Sequence, residues 1–168
     1  NEAVNFDIAH HHVDRELGDA MQRRVDLMIP VIKGWMTEVG QETASLGVQI
    51  HGGMGYVEET GAAQFMRDIR IAAIYEGTNG IQAADLVGRK LAMDGGQAMM
   101  AVIAEMEGVL ATMQAHSKAA SHADYLAKAI AGLKDSTAAV LAMLQSNPQQ
   151  AMLASFNYMM QAGYCFGG

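Results

Sequence analysis

The sequence predicts an all-α protein, and its composition and patterning support that class. Hydrophobic residues make up 51% of the chain, and alanine and methionine recur throughout, a mixture that favours helices over strands. Only two prolines occur among the 168 residues. Apolar residues recur at intervals of three and four, the period of a helix. A chain of this length buries one core, so we expect one domain or part of a larger one.

Two helices are expected in the first third of the chain. Residues 14–29 carry apolar side chains that share one helical face, namely Leu17, Met21, Val25 and Met28. Pro30 suits the first turn of the next helix, because its missing N–H leaves no bond unmade there, and residues 31–50 continue at helical spacing. The run His-Gly-Gly-Met-Gly-Tyr at 51–56 cannot sustain a helix cheaply and is expected to be a loop.

A further helix and a second glycine-broken turn follow. Residues 62–75 have apolar side chains at helical spacing. The sequence Glu-Gly-Thr-Asn-Gly at 76–80 predicts a turn, since it holds two glycines and two N-capping residue types, and a helix resumes over 81–93. The two turns, 49–56 and 75–82, thus flank one helix. They either face one ligand or simply connect helices, because glycine commonly ends helices for conformational reasons.

The character of the chain changes after Asp94-Gly95-Gly96. Residues 99–113 and 125–144 are amphipathic and rich in alanine and methionine, and we expect them to pair antiparallel. A last helix is expected from 149 to about 163. We therefore divide the chain into a helical domain, 1–94, and a helical extension, 95–168, whose apolar end indicates a truncated chain. The methionines are expected to pack the core.

Charge and cysteine usage exclude several classes of function. The formal net charge is −7, and the eleven basic residues are scattered, which argues against a nucleic-acid surface. The single cysteine, Cys165, has no partner within the chain, so a reducing compartment, the cytoplasm, is expected. No apolar run approaches the roughly 18 residues of a membrane span, and the first residues lack a leader pattern.

Two features that suggest metal or thiol chemistry are interpreted as structural. Neighbouring helix positions point about 100° apart, so His10, His11 and His12 do not converge on one metal ion, and no metal site is predicted. Cys165 has no nearby histidine or basic residue in sequence, and we expect an inert thiol.

Three motifs in the middle of the chain resemble the C-terminal signature of the acyl-CoA dehydrogenases. They are Gln-Ile-His-Gly-Gly-Met-Gly-Tyr at 49–56, Met-Arg-Asp at 66–68 and Ile-Tyr-Glu-Gly-Thr-Asn-Gly-Ile-Gln at 74–82, in family order and at family spacing. The resemblance identifies residues 1–94 as part of the family's C-terminal helical domain. The extension is similar to that of the longer bacterial members, which include enzymes acting on 3-methylthiopropionyl-CoA.

The resemblance implies a flavin-dependent dehydrogenation of an acyl-CoA thioester. In the family a glutamate removes a proton from the α-carbon while the β-hydrogen leaves as hydride to FAD, and Glu76 stands at the position of that base. An α-proton beside a thioester is weakly acidic, so the enolate must be stabilised while a positioned base acts. The same resemblance places Tyr75 beside the thioester and lets the turn approach the substrate closely at Gly77.

Further positions correspond to contacts with the cofactor. Thr78 matches a residue that hydrogen-bonds FAD, whereas Gly80 stands where many relatives have a polar side chain that also meets the flavin. Gln49, Gly52 and Gly53 match the stretch that contacts the adenine and pyrophosphate end of an FAD bound mainly by the neighbouring subunit. Glycine lets backbone N–H groups approach a pyrophosphate. The resemblance therefore implies a homodimer or homotetramer, with electron-transferring flavoprotein as electron acceptor.

Other functions stay open at this point. The chain is alternatively a non-catalytic helical module for oligomerisation, or part of an acyl-CoA oxidase, in which oxygen reaches the reduced flavin. Arg67 and Asp68 are assigned a structural ion-pair role. In the family an N-terminal helical domain and a central β domain precede this bundle and hold the isoalloxazine ring, so we expect a fragment that is inactive by itself.

Overall fold

All regular secondary structure in the computed structural model, which describes residues 2–167, is helical, and the all-α prediction is confirmed. A 3-10 turn, Glu58–Thr60, precedes α4, and a π-helical segment, Leu86–Leu91, joins α5 to α6. The α-helices are α1 Glu2–His11, α2 Arg15–Ile50, α3 Gly53–Tyr56, α4 Ala62–Ala72, α5 Asn79–Asp85, α6 Ala92–Asp94, α7 Gln97–Ala115, α8 Ala120–Ser146 and α9 Pro148–Gly167.

Helix α2 is the longest element, and its start agrees with the sequence. Asp14 is the N-cap, and its carboxylate accepts hydrogen bonds from the backbone N–H groups of Glu16, at 3.0 Å, and Leu17, at 3.3 Å. An N-cap of this kind stabilises a helix by about 1 kcal/mol.

The predicted helix boundary at Pro30 is wrong, because α2 runs through Pro30 without a break. Proline inside a helix removes one backbone hydrogen bond and crowds the preceding turn. Pro30 is fully buried, however, and Leu27 and Val31 on either side of it belong to the main core. Burial of both halves of α2 against the same neighbours thus outweighs the local preference of proline.

One hydrophobic core holds the molecule together. Helix α2, the α5–π segment and the last three helices all contribute side chains to it. Its fully buried large residues include Leu27, Leu86, Leu91, Met99, Ile103, Leu133 and Met159. Side chains from both sides of residue 94 share this core, so the packing has no break there, and the division into 1–94 and 95–168 stays a prediction.

The helices of the extension pack in succession, α7 on α8 and α8 on α9. Glu107 of α7 pairs with Lys134 of α8 at 3.2 Å. Between α8 and α9 the Tyr158 hydroxyl donates to Thr137 Oγ1 at 2.8 Å, since the Thr137 hydroxyl itself donates to the Leu133 carbonyl. Burial raises the pKa of Tyr158 to about 12.

Helix α9 also packs against α2, and glycine makes the close approach possible. A Cβ atom at Gly163 would overlap the Trp35 side chain, and one at Gly167 would overlap the far edge of the same ring. Tyr164, between them, meets the Trp35 ring edge to face with centroids 5.8 Å apart. The extension is therefore fixed directly to the helix that carries the first motif.

Helix α7 is long and apolar enough to cross a membrane by length and composition alone. A single helix of this kind is weak evidence, because core helices of globular proteins have the same properties. Met99, Val102 and Ile103 on one face of α7 are buried in the common core, but only 17% of the apolar window of α7 is buried, so most of this helix is not covered by the chain.

Candidate functional site

The candidate base Glu76 lies in the connection between α4 and α5, which we call the Glu76 turn, residues 73–78. Glu76 has φ of +57°, and it is the only non-glycine residue with positive φ among residues 2–167. Gly77 follows with φ of +89°. The left-handed conformation costs an L-residue about 1–2 kcal/mol, and strain of this kind collects at functional sites. A glutamate is thus held where glycine would be easier.

The Glu76 turn begins at a buried residue and is followed by another, while its centre is exposed. Ala73 is 7% exposed and Asn79 is 4% exposed, whereas Tyr75 is 66% exposed and Glu76 is also open to solvent. The Gln82 side-chain amide donates to the Glu76 carbonyl at 3.1 Å. The fold therefore fixes the backbone of the turn while presenting its functional side chains outward.

Thr78 occupies the N-cap position of α5, yet its side chain makes no capping hydrogen bond. It is exposed, so its hydroxyl is available to another molecule. Tyr75, Glu76, Gly77 and Thr78, which were predicted from one motif, thus lie together on one exposed turn.

Lys33 of α2 holds this turn, and the sequence analysis missed it. Its ammonium group donates to the Gly77 carbonyl at 2.6 Å and to Asn79 Oδ1 at 2.8 Å. Lys33 is partly buried and lies near Val31 and Gly34, both buried in α2. A lysine close to buried positions of a helix is the signal that points to it, because a cation in such a place needs partners.

Asn79 connects Lys33 to a second set of groups on α2. Its side-chain N–H₂ donates to Thr37 Oγ1 at 2.9 Å and to Glu38 Oε1 at 2.8 Å. The sequence analysis interpreted Asn79 only as an N-capping residue type, whereas its buried amide links two elements. We call Lys33, Thr37, Glu38 and Asn79 the Lys33–Asn79 network.

The second glycine-rich segment follows the end of α2, and its prediction as a loop is partly wrong. Gly53–Tyr56 forms one turn of helix, α3. Glycine at position 55 has an internal reason, because a Cβ atom there would overlap the Val48 carbonyl. Gly52 has φ of +60°, a conformation that favours glycine.

Neither steric overlap nor a positive φ explains the glycine at position 53. It is exposed, its φ is not positive, and nothing lies within 4 Å of a Cβ atom built on it. A position of this kind leaves room for an outside molecule to approach the backbone, and it suits a pyrophosphate. Gln49 and Gly52 beside it are exposed too. The segment therefore fits the cofactor contact that the sequence analysis assigned to it.

The structure does not bring the two glycine-broken turns together. Lys33 bonds the Glu76 turn, whereas Gly52 lies just beyond Ile50, the last residue of α2. The part of α2 between these two points is about 26 Å long at the helical rise. The two turns of one chain therefore face separate positions, and a small ligand bound within one chain would not reach both.

Open apolar grooves lie on both sides of the contact between α2 and α4. One has a volume of about 650 Å³ and is lined by residues that include Trp35, Val39, Phe65 and Ile69. The other, of about 780 Å³, is lined by Val48, Tyr56, Met66 and Arg70, among others. Phe65 is 72% exposed and Tyr56 is 82% exposed.

The remaining candidate residues have structural contacts. Arg67 pairs with Glu58 at 3.1 Å, and Asp68 accepts a hydrogen bond from the Gln64 amide at 2.6 Å. The ion partner of Arg67 is therefore Glu58. Burial raises the pKa of the Cys165 thiol, which packs against the Met106 sulfur at 3.8 Å. Within residues 2–167 no group of three or more His, Cys, Asp or Glu side chains could hold a metal ion.

Comparison with known proteins identifies the family. Residues 9–92 match the family described as acyl-CoA dehydrogenase, C-terminal domain. This chain belongs to the acyl-CoA dehydrogenase family. Members of the family are flavoproteins that bind FAD, and the resemblance seen in the three motifs is confirmed.

Three relatives show which acyl-CoA dehydrogenases this chain is similar to. The chain is 43% identical to 3-methylmercaptopropionyl-CoA dehydrogenase of Ruegeria pomeroyi over 94% of this chain and 27% of that protein. It is 29% identical to the broad-specificity linear acyl-CoA dehydrogenase FadE5 of Mycobacterium tuberculosis, over 91% and 26%. It is 34% identical to a butyryl-CoA dehydrogenase of Syntrophomonas wolfei, over 63% and 17%. The chain thus spans about a quarter of the first two relatives.

Proposed function

We propose that the protein containing this chain is an FAD-dependent dehydrogenase that introduces an α,β double bond into acyl-CoA thioesters, with Glu76 as the base that removes the α-proton. The observation that carries the proposal is the conformation of Glu76. It is an exposed acid with φ of +57° in a turn where the adjacent carbonyls of Glu76 and Gly77 both accept side-chain hydrogen bonds. A turn that only connects two helices gains nothing from this strain, whereas a base needs a fixed direction.

The chain supplies two groups for removal of the α-proton. The Glu76 carboxylate accepts the proton, and the backbone N–H of Glu76, which donates no hydrogen bond to another backbone group within residues 2–167, polarises the thioester carbonyl. A hydrogen bond to that oxygen stabilises the developing enolate. Tyr75 walls the thioester end, and Gly77, with no side chain, lets the substrate come close to the turn.

Two separate parts of the chain would hold the cofactor. The free hydroxyl of Thr78 fits one contact, and the open backbone at Gly52 and Gly53, with Gln49, fits the pyrophosphate end. When bound, FAD accepts the hydride from the substrate's β-carbon. Because about 26 Å of α2 separates the two parts, we assign them to two FAD molecules in a homodimer or homotetramer. The apolar grooves beside α2 and α4 supply surface for such contacts.

The relatives suggest the substrate class. Their names specify thioesters with an acyl group of three carbons plus methylthio, linear acyl groups and butyryl. We propose a short or linear acyl-CoA as substrate and electron-transferring flavoprotein as electron acceptor, in the cytoplasm.

Steady-state turnover of the full-length protein tests the proposal. We expect Glu76→Gln to retain FAD and to lower turnover about 100- to 10,000-fold across a panel of acyl-CoAs, because the amide removes the proton acceptor. Glu59→Gln, a matched exposed acid in the 3-10 turn, should leave turnover unchanged.

Two other outcomes would indicate the alternative functions, an oligomerisation module or an acyl-CoA oxidase. Undiminished turnover in Glu76→Gln would indicate that the Glu76 turn only connects two helices, as in an oligomerisation module. Stoichiometric hydrogen peroxide formation by the wild type would indicate an acyl-CoA oxidase.

A further inference from the structure

We propose that Lys33 is a positioning residue for the base: by holding the Gly77 carbonyl it fixes the direction of the Glu76 side chain. This inference rests on the proposed function. Lys33 lies 44 residues before Gly77 in the chain, and no motif in the sequence connects the two.

The Lys33 contact lies within the Glu76 turn. The Gly77 carbonyl belongs to the peptide bond between Gly77 and Thr78, so a hydrogen bond to it constrains the residue that follows the base on one side and the residue with the free hydroxyl on the other. The 2.6 Å distance from Lys33 Nζ is that of a charge-assisted hydrogen bond, which is stronger than one between neutral groups. One ammonium group thus restrains the backbone between Glu76 and Thr78.

The backbone of the Glu76 turn is strained. Glu76 and Gly77 both have positive φ, and a glutamate stays in that conformation only where its surroundings impose it. The described contacts of the turn include the Lys33 bond to Gly77 and the Gln82 bond to the Glu76 carbonyl. Of these, the Lys33 bond ties the turn to a different element, α2.

Lys33 is itself held in place by hydrogen bonds with its neighbours. Asn79 directs its amide oxygen to Lys33 and its N–H₂ to Glu38 and Thr37. The amide lies between a cation and an anion, so the charge on each side favours this one orientation. Thr37 in turn donates to the Lys33 carbonyl at 2.8 Å. The Lys33–Asn79 network is therefore a closed set of contacts between one stretch of α2 and the start of α5.

Lys33 acts through the turn and not on the substrate. Two of the three N–H groups of its ammonium are committed to Gly77 and Asn79. Its loss should misplace the base while leaving the carboxylate present, which lowers the rate of proton removal more than it weakens substrate binding. Displacement of a reacting group by about 1 Å costs up to about 100-fold in rate.

The test compares Lys33→Met with Lys90→Met in the full-length protein with FAD bound. Lys90 is the matched control, since its side chain is 8% exposed and pairs with Asp26 at 3.1 Å, away from the Glu76 turn. In Lys33→Met we expect kcat to fall roughly 10- to 100-fold with KM nearly unchanged. The kinetic isotope effect of α-deuterated acyl-CoA should increase, because proton removal becomes more rate-limiting.

Lys90→Met should keep the wild-type kcat and isotope effect. Lys33→Gln, whose side-chain amide retains an N–H₂ donor group and which is less disruptive, should give an intermediate kcat. It serves as the test variant if Lys33→Met does not fold.

Two results would overturn the role of Lys33. One is wild-type kcat in the Lys33 variants. The other is a fall in kcat explained by lost FAD, with an unchanged isotope effect, which would indicate a structural role only. If the proposed function itself is wrong, Glu76→Gln remains active. That result differs from both of the Lys33 results above.

Discussion

Glu76 and Gly53 are two residues of the candidate site whose environment within the chain does not explain their identity. Glycine would fit more easily at Glu76, which has positive φ. At Gly53, by contrast, the space around a Cβ atom is open. The proposed function accounts for both residues, by a substrate at the first and a cofactor at the second.

Substitution of Gly53 by alanine tests whether the fold or the bound cofactor requires glycine at this position. Because nothing lies within 4 Å of a Cβ atom there, we expect Gly53→Ala to leave the free energy of unfolding unchanged or raise it by about 0.4–1 kcal/mol. The affinity of the full-length protein for FAD should fall, since a methyl group blocks approach to the backbone. The measurements are chemical denaturation and FAD titration.

Gly55→Ala is the matched control for this prediction. Its Cβ atom would overlap the Val48 carbonyl, so this variant should unfold at lower denaturant concentration whether or not FAD is present. Gly53→Ala with full FAD affinity would contradict the cofactor role of that position.

Among individual residues, the sequence identified those of the Glu76 turn but not the residues that form hydrogen bonds with the turn. Tyr75, Glu76, Gly77 and Thr78 are adjacent in one motif, so a local pattern is enough to find them. Lys33 and Asn79 make their contacts across 46 positions of the chain, and helical periodicity indicates only which face is buried. The partner of a half-buried lysine depends on tertiary packing.

Among the elements, helices were predicted well and their interruptions poorly. The spacing of apolar residues predicted helical structure in α2, α4 and α7–α9, because that spacing directly records the buried face. It placed a boundary at Pro30 that the structure lacks. The resumed helix after the Glu76 turn exists, but it contains the π-helical segment Leu86–Leu91, since the hydrogen-bond register is set by packing and leaves no simple trace in the sequence.

The contact of α9 with α2 gives a prediction at this scale. A Cβ atom at Gly163 would overlap the Trp35 side chain close to its backbone, where it has little freedom to move. We expect Gly163→Ala to lower the free energy of unfolding by roughly 1–3 kcal/mol, the usual cost of overpacking. The midpoint of denaturant unfolding measures this.

Gly132→Ala in α8 is the comparison for that prediction. The nearest atom to its Cβ is the flexible end of Gln161, at 3.4 Å, so alanine should be tolerated and stabilise the helix by up to about 1 kcal/mol. Equal stability of the two variants would show that α9 does not pack on α2 as described.

For the whole molecule, the family domain and the extension share one core. Leu27 and Leu86 pack in the same cluster as Met99 and Leu133. The family match ends at residue 92, whereas the Ruegeria pomeroyi relative aligns over 94% of the chain. Composition changes near residue 94 and therefore suggested a division there, but composition does not show how two segments pack.

In the whole molecule, the Glu76 turn and the glycine-rich segment after α2 are far apart. The Glu76 turn is bonded to α2 at Lys33, and the proposed pyrophosphate contact lies about 26 Å further along, beyond the end of α2. The expected oligomer agrees with this separation, whereas the expected fragment follows from the family domains that precede this bundle; both stay predictions.

Removal of the α-proton by Glu76 is the central claim, and isotope exchange measures it apart from hydride transfer. The full-length protein is incubated in water with an acyl-CoA deuterated at the α-carbon, without an electron acceptor, and loss of deuterium is followed by mass spectrometry. We expect the wild type to release the label and Glu76→Gln, with FAD retained, to release it at least about 100-fold more slowly. Equal rates of release in the two proteins would contradict the assignment of Glu76 as the base.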